Sequence, residues 1–207
     1  MARRQLTFRR LSGLDRSGPP PPETVAGAPL RPWTIPNFIG YIRLALLPVF
    51  LAVELSSDGG TDALGAVLFA VIGWSDYLDG IAARVTGQYS RMGALLDPVV
   101  DRLLVIGGVL ICWKFETLPR WGIAILVARE LYVLVAGQIA LRRGLELKIN
   151  WWGRWGVWPT MSAIFFALVG LDTLAHVLFY LGLALSLMAA VAYTRDALTA
   201  TRAAPSS

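Results

Sequence analysis

The segment DYLDGIAARVTGQYSRMGALLDPVVD, residues 76–101, places four aspartates inside a strongly apolar sequence. Side chains three and four positions apart lie on the same face of a helix. Asp76 and Asp79 therefore share one helical stripe, and Asp97 and Asp101 share a stripe on the next helix. Because the intervening connection is short, we expect two antiparallel neighbouring helices whose four carboxylates converge on one cavity.

The composition around this segment is that of a membrane protein. Apolar residues make up 56% of the 207 positions and charged residues only 16%, against roughly half and a quarter in an average soluble domain. Six stretches approach or exceed the length of about 20 helical residues that crosses a hydrocarbon core. Backbone groups in lipid must be bonded within their own segment, so we predict an all-α integral membrane protein with six transmembrane helices in a single bundle. The predicted spans are 36–55, 61–83, 93–113, 120–141, 156–171 and 173–193.

The polar ends are predicted to lie outside the bundle. Residues 1–32 are rich in arginine, proline, glycine and serine, which predicts a disordered basic cytoplasmic tail; residues 33–196 form the predicted transmembrane domain, and residues 197–207 a cytoplasmic C-terminal tail. On the side opposite the amino terminus, the basic residues in the loops or at the edge of a span are only Lys114 and Arg120, so we expect both termini to be cytoplasmic. This topology and attraction to anionic membrane lipids explain the net charge of +5, and nucleic acid is not a predicted partner.

The four aspartates predict a hard divalent cation. Neighbouring carboxylates repel one another and lose hydration, so they are stable together only when protonated or neutralised by a cation. An all-oxygen ligand set favours Mg²⁺, Mn²⁺ or Ca²⁺ over zinc, and catalytic use favours Mg²⁺ or Mn²⁺. Gly80 and Gly93 lie on the same stripes and leave room for a substrate beside the backbone, while Arg84 supplies a cation suited to phosphate. We therefore interpret the segment as a site for a metal-bound pyrophosphate.

Residues 76–101 resemble the signature of the CDP-alcohol phosphatidyltransferase family, and we call them the signature segment. That signature is Asp-x2-Asp-Gly-x2-Ala-Arg-x8-Gly-x3-Asp-x3-Asp, and every fixed position is filled. The six-span layout is similar to the family over residues 33–193. The resemblance implies a six-helix fold that forms a homodimer in the cell membrane, with its active site open to the cytoplasmic leaflet.

The resemblance also implies a role for each signature residue. Asp76, Asp79 and Asp97 would bind metal, and Asp101 would be a metal neighbour and the general base that takes the proton from an acceptor hydroxyl. The hydroxyl would then attack the lipid-side phosphorus of CDP-diacylglycerol, and CMP would leave. The residues implied to line the cytidine and pyrophosphate site are Gly80, Ala83, Arg84 and Gly93.

Basic residues outside the signature segment are the candidates for holding the acceptor. Arg129 lies within the fourth predicted span, where a charge is a functional-site candidate by default, and Arg154 precedes the fifth span. Both positions look like those at which glycerophosphate-type members hold the acceptor phosphate, so glycerol 3-phosphate is the expected acceptor. Such enzymes typically read Gly-Lys-x-Lys-Thr here, whereas residues 153–157 are Gly-Arg-Trp-Gly-Val. The missing second basic residue leaves phosphatidylglycerol, the acceptor of a cardiolipin synthase, as the alternative.

Other interpretations stay open at the level of sequence. Arg129 could form a structural ion pair, and Arg154 could be an ordinary positively charged flank of a span. Arg43, within the first span, could meet either a structural partner or a lipid headgroup. A cation channel or transporter is the alternative from another functional class, but it requires charges along a path to the outer side, and the sequence has no acidic residue deep in the outer half of a span.

Overall fold

The computed structural model of the protein describes residues 29–142 and 151–203, and within these ranges its regular structure is entirely helical. It contains one helix for each of the predicted spans. The helices are α1 (Ile35–Ser56), α2 (Ala63–Thr86), α3 (Arg91–Phe115), α4 (Arg120–Arg142), α5 (Trp151–Leu168) and α6 (Asp172–Ala203). The all-α fold class is therefore confirmed.

Helix length and composition support a membrane protein. In the described ranges, α1, α2 and the segment Asp172–Arg195 of α6 are long and apolar enough to cross a membrane, and Val157–Leu168 of α5 is a shorter apolar helix. Charged residues interrupt the first half of α3, because two of the signature aspartates lie there. Membrane crossing by α3, α4 and α5 stays a prediction.

The chain forms two compact units. In its described part, the first unit contains α1, α2 and α3 up to Gly108, and the second contains Ser57–Asp62, the end of α3 and the helices α4 to α6. In the first unit α1 packs against α2, and in the second α6 packs against both α4 and α5. The signature segment therefore lies within the first unit. The buried core of that unit includes Leu47, Phe50, Phe69, Ile72, Val100 and Leu104.

Local hydrogen bonds determine where the signature helices end and begin. Thr86 is the last residue of α2, and the next residue, Gly87, has a φ of 65°, a conformation that terminates helices and that glycine adopts without strain. Ser90 caps the start of α3, since its Oγ accepts a hydrogen bond from the backbone nitrogen of Gly93 at 3.0 Å. The connection between the two helices is consequently short, as the sequence predicts.

The predicted domain limits stay predictions. Residues 1–28 of the predicted amino-terminal tail lie outside the described residues. At the other end, α6 continues to Ala203, beyond the predicted limit of the transmembrane domain at residue 196.

Candidate active site

Arg43 of α1 lies at the centre of the acidic residues. Its side chain is only 1% exposed, and its Nη1 donates hydrogen bonds to Asp76 Oδ1 at 3.2 Å and Asp79 Oδ2 at 3.0 Å. Its Nη2 donates to Asp101 Oδ1 at 2.7 Å, and its Nε donates to the carbonyl oxygen of Ile72 at 3.1 Å. The structure thus brings three of the four aspartates together around one buried cation.

Helical spacing explains why one carbonyl oxygen and two carboxylates of α2 can all accept hydrogen bonds from Arg43. Ile72, Asp76 and Asp79 follow one another at intervals of four and three residues, so they form one stripe on α2. Asp101 reaches the same guanidinium from α3. Three of the four carboxylates predicted to converge from α2 and α3 therefore meet, and the cation between them comes from α1.

Asp97 stands one helical turn before Asp101 on α3. It lies close enough to interact electrostatically with Asp76, Asp101 and Arg43. Within residues 29–142 and 151–203, however, its carboxylate receives no hydrogen bond. Asp97 thus lies beside the three aspartates that are bonded to Arg43, but it is not itself a hydrogen-bond partner of Arg43.

The donor chemistry of this group fits a divalent metal. Each of the three bonded carboxylates uses one oxygen for Arg43, and the side chains of Asp76 and Asp101 are 46% and 45% exposed. Carboxylate oxygens are the ligands that Mg²⁺ and Mn²⁺ prefer. In the part of the chain that the structure describes, no set of three or more acidic, histidine or cysteine side chains has an arrangement that could hold a metal ion. The Arg43 guanidinium lies among three of these carboxylates and offsets part of their charge.

The two signature glycines have packing partners within the protein. A Cβ atom at Gly80 would lie 3.3 Å from Nη1 of Arg84, and one at Gly93 would lie 2.8 Å from Oδ1 of Asn37. The space beside each glycine therefore holds a protein side chain. Ala83 is half-buried on α2. Binding of cytidine and pyrophosphate by these residues stays a prediction.

Asn37 connects the start of α1 to the start of α3. It is 1% exposed, and its Oδ1 accepts a hydrogen bond from Ser90 Oγ at 2.8 Å. Its Nδ2 donates to the carbonyl oxygens of Arg31 and Pro32 at 3.0 and 3.1 Å. Sequence reasoning assigned no role to Asn37 and left that of Arg43 open. The available signal was the presence of two polar side chains in an apolar span, where each requires a partner.

The predicted acceptor residues belong to the second unit. Nε of Arg129 donates to the carbonyl oxygen of Ser186 on α6 at 3.0 Å, and its Nη1 forms an ion pair with Glu130. Both contacts are with groups of the protein itself, and one of them is with the neighbouring residue. The side chain of Arg154 lies outside the described residues. Acceptor binding by Arg129 and Arg154 stays a prediction.

Known proteins show clear similarity to this chain. The family model described as CDP-alcohol phosphatidyltransferase matches residues 33–188. The chain is 38% identical over 138 residues to "Cardiolipin synthase (CMP-forming)" of Streptomyces coelicolor, and the match covers 64% of each protein. It is 28% identical over 144 residues to "CDP-diacylglycerol--glycerol-3-phosphate 3-phosphatidyltransferase" of Bacillus subtilis, covering 64% of this chain and 75% of that protein.

The share of each protein that a match covers determines whether an activity or only a family can be assigned from it. The chain spans less than two thirds of the length of the Streptomyces relative, so that protein's activity is not transferred by similarity alone. The family model, in contrast, covers most of this chain and includes the whole signature segment. The protein therefore belongs to the CDP-alcohol phosphatidyltransferase family.

Proposed function

We propose that this protein is an enzyme of phospholipid biosynthesis that transfers the phosphatidyl group of CDP-diacylglycerol to a hydroxyl acceptor and releases CMP. Family membership supports this reaction class. The observation that carries the proposal is the gathering of Asp76, Asp79 and Asp101 around Arg43. Phosphoryl transfer depends mainly on positioning and on stabilising charge, and such a group of charges suits both purposes. We place the reaction at the cytoplasmic leaflet, at the level of the headgroup of CDP-diacylglycerol.

The proposed cofactor is Mg²⁺ or Mn²⁺, in keeping with the use of divalent metal in this family. The metal ligands would be oxygens of Asp76, Asp79 and Asp97 that are not bonded to Arg43, and Asp101 would be a neighbour of the metal. When bound, the metal would neutralise the pyrophosphate of the donor and the charge that develops on the departing CMP. The residues proposed to line the cytidine and pyrophosphate site are Gly80, Ala83, Arg84 and Gly93.

Asp101 is the proposed general base. Its Oδ1 accepts the hydrogen bond from Arg43, and its side chain is 45% exposed, so Oδ2 can take the proton of an acceptor hydroxyl. The acceptor oxygen forms a bond to the lipid-side phosphorus as the bond from that phosphorus to CMP breaks. CMP departs with the bonding electrons, and a covalent enzyme intermediate is not required.

CMP release tests this assignment. Purified protein with Mn²⁺, CDP-diacylglycerol and an acceptor should release CMP, and Asp101→Asn should slow release by roughly 10²- to 10⁴-fold, the usual contribution of a general base. The melting temperature should change little, because the amide oxygen can still accept the hydrogen bond from Arg43. Asp58→Asn, in the exposed turn after α1, is the matched control. Undiminished release by the Asp101→Asn variant would contradict the assignment of the base.

For the acceptor, we place phosphatidylglycerol ahead of glycerol 3-phosphate. The identity of 38% with the cardiolipin synthase exceeds the 28% with the glycerol-3-phosphate enzyme. The single basic residue, Arg154, within residues 153–157 also favours an acceptor with less charge than a phosphate monoester. Glycerol 3-phosphate, the acceptor expected from the sequence, becomes the second candidate, with Arg129 and Arg154 as its proposed ligands. Labelled CDP-diacylglycerol offered with each acceptor in turn distinguishes them, since only phosphatidylglycerol gives a product with four acyl chains.

A further inference from the structure

Arg43 is a full charge almost completely removed from solvent. Its side chain is 1% exposed, and it lies within a helix that is long and apolar enough to cross a membrane. A buried charge is strongly destabilising unless it is paired and hydrogen-bonded. Arg43 satisfies this requirement through carboxylates of α2 and α3, so its position and theirs depend on each other.

Only one oxygen of each paired carboxylate is bonded to Arg43. Arg43 contacts Oδ1 of Asp76, Oδ2 of Asp79 and Oδ1 of Asp101, which is one oxygen from each group. A planar guanidinium holds its donors in a fixed fork, so it sets the spacing of the groups that it binds. The second oxygen of each carboxylate accepts no hydrogen bond from Arg43, so these oxygens are the atoms left for another cation.

The charges do not cancel within this group. One guanidinium faces the carboxylates of Asp76, Asp79 and Asp101, and Asp97 lies within electrostatic range of the same arginine. Formally, one positive charge meets four negative charges. Arg43 can therefore reduce the mutual repulsion of the carboxylates, while enough negative charge remains to attract a dication.

We propose that Arg43 is a positioning residue that serves as the internal counter-cation of the aspartates, holding Asp76, Asp79 and Asp101 at a fixed spacing while no divalent metal is bound. This inference rests on the proposed metal site. Its consequence is a coupling between Arg43 and metal. Without the arginine, the metal-free protein loses its source of neutralisation, whereas the metal-bound protein keeps one.

Thermal unfolding with and without metal tests the coupling. Full-length wild type, Arg43→Gln and Arg43→Lys would be purified in the same detergent and melted in chelator or in Mn²⁺. In chelator, Arg43→Gln should lower the melting temperature by roughly 6 to 20 °C, the range expected for breaking a buried ion pair in a chain of this size. Mn²⁺ should raise its melting temperature by more than it raises that of wild type. Arg43→Lys keeps the charge but lacks the guanidinium fork. The rise in its melting temperature on adding Mn²⁺ should lie between the rises of wild type and Arg43→Gln.

A matched control separates this coupling from the general loss of an ion pair. Arg120→Gln removes an exposed pair with Glu116 in the second unit, and its response to Mn²⁺ should equal that of wild type. Titration of bound Mn²⁺ by electron paramagnetic resonance provides a second readout, independent of stability. Arg43→Gln should bind the ion more tightly than wild type, because a competing positive charge has been removed.

The possible outcomes distinguish this inference from the proposed function. Equal Mn²⁺ responses in wild type and Arg43→Gln would overturn the role of Arg43 and leave the metal site intact. If wild type neither binds Mn²⁺ nor is stabilised by it, the metal site itself is wrong and the inference fails with it. If Arg43→Gln does not fold in either buffer, Arg43→Lys decides, and a Mn²⁺ response equal to that of wild type would overturn the role.

Discussion

Gly93 shows how a single missing Cβ lets α3 approach α1. A Cβ at this position would lie 2.8 Å from the amide oxygen of Asn37 and 3.3 Å from Ser90 Oγ. Asn37 is buried and accepts a hydrogen bond from Ser90, so it cannot move away without losing that bond. The glycine is therefore required by packing, whatever its part in substrate binding.

Gly93→Ala should reduce the free energy of unfolding by about 1–3 kcal/mol, the usual effect of overpacking a buried contact. The measurement is thermal or denaturant unfolding of the purified protein. Gly73→Ala on α2 is the matched control, because its Cβ would meet Leu104 at an ordinary 3.7 Å; its stability should stay within about 1 kcal/mol of wild type.

Asn37→Ala provides a further check on the Gly93 prediction. Shortening Asn37 removes the atom that the new Cβ would meet, so Gly93→Ala should be less harmful in an Asn37→Ala background than in wild type. Additive losses in the double variant would contradict a direct clash between the two positions.

At the scale of single residues, the sequence predicts the aspartates better than their partner. Asp76, Asp79 and Asp101 follow helical spacing, and their convergence could be predicted from that spacing alone. Arg43 meets them from 33 to 58 positions away along the chain. A charge in an apolar span signals the need for a partner. Which residue becomes that partner depends on how the helices pack, and the spacing of residues within one helix does not specify the packing.

At the scale of elements, apolar runs predict where the helices lie and predict their ends less well. The predicted first span, 36–55, differs by one residue at each end from α1 (Ile35–Ser56), whereas the predicted last span, 173–193, is shorter than α6 (Asp172–Ala203). The apolar run ends where a hydrocarbon core would end, but a helix can continue into water. The turn between α2 and α3 is likewise shorter than the gap of residues 84–92 between the predicted spans, because Gly87 and Ser90 act as terminating and capping residues.

At the scale of the whole molecule, the surface is that of a protein solvated by lipid. Large apolar side chains such as Val67, Ile106 and Val177 are more than half exposed. A water-soluble monomer rarely carries so much apolar surface, and lipid makes it favourable. Composition alone predicts this character, but it does not predict that the described chain divides into two compact units.

Cysteine labelling tests the predicted orientation of the chain. The native Cys112 is fully buried, so it should give little background labelling. In intact cells, a membrane-impermeant maleimide should label a cysteine at Lys114, which is exposed on the predicted outer side. A cysteine at Gln88, exposed in the turn between α2 and α3, should be labelled only after the cells are opened. Labelling with the opposite pattern would invert the topology and place the aspartates at the outer leaflet.

The pairing of Arg43 also has a consequence for the order in which the protein is made. Ribosomes synthesise α1 first, so its arginine reaches the membrane before any of its carboxylate partners exists. A lone arginine at the centre of an inserting helix is unfavourable by about 2.5–3.5 kcal/mol. Synthesis of α2 supplies Asp76 and Asp79, and α3 then supplies Asp101. Until the signature segment has been made, Arg43 in α1 therefore has no carboxylate to neutralise it. Once α2 and α3 are in place, the same ion pairs that form the site hold the first three helices together.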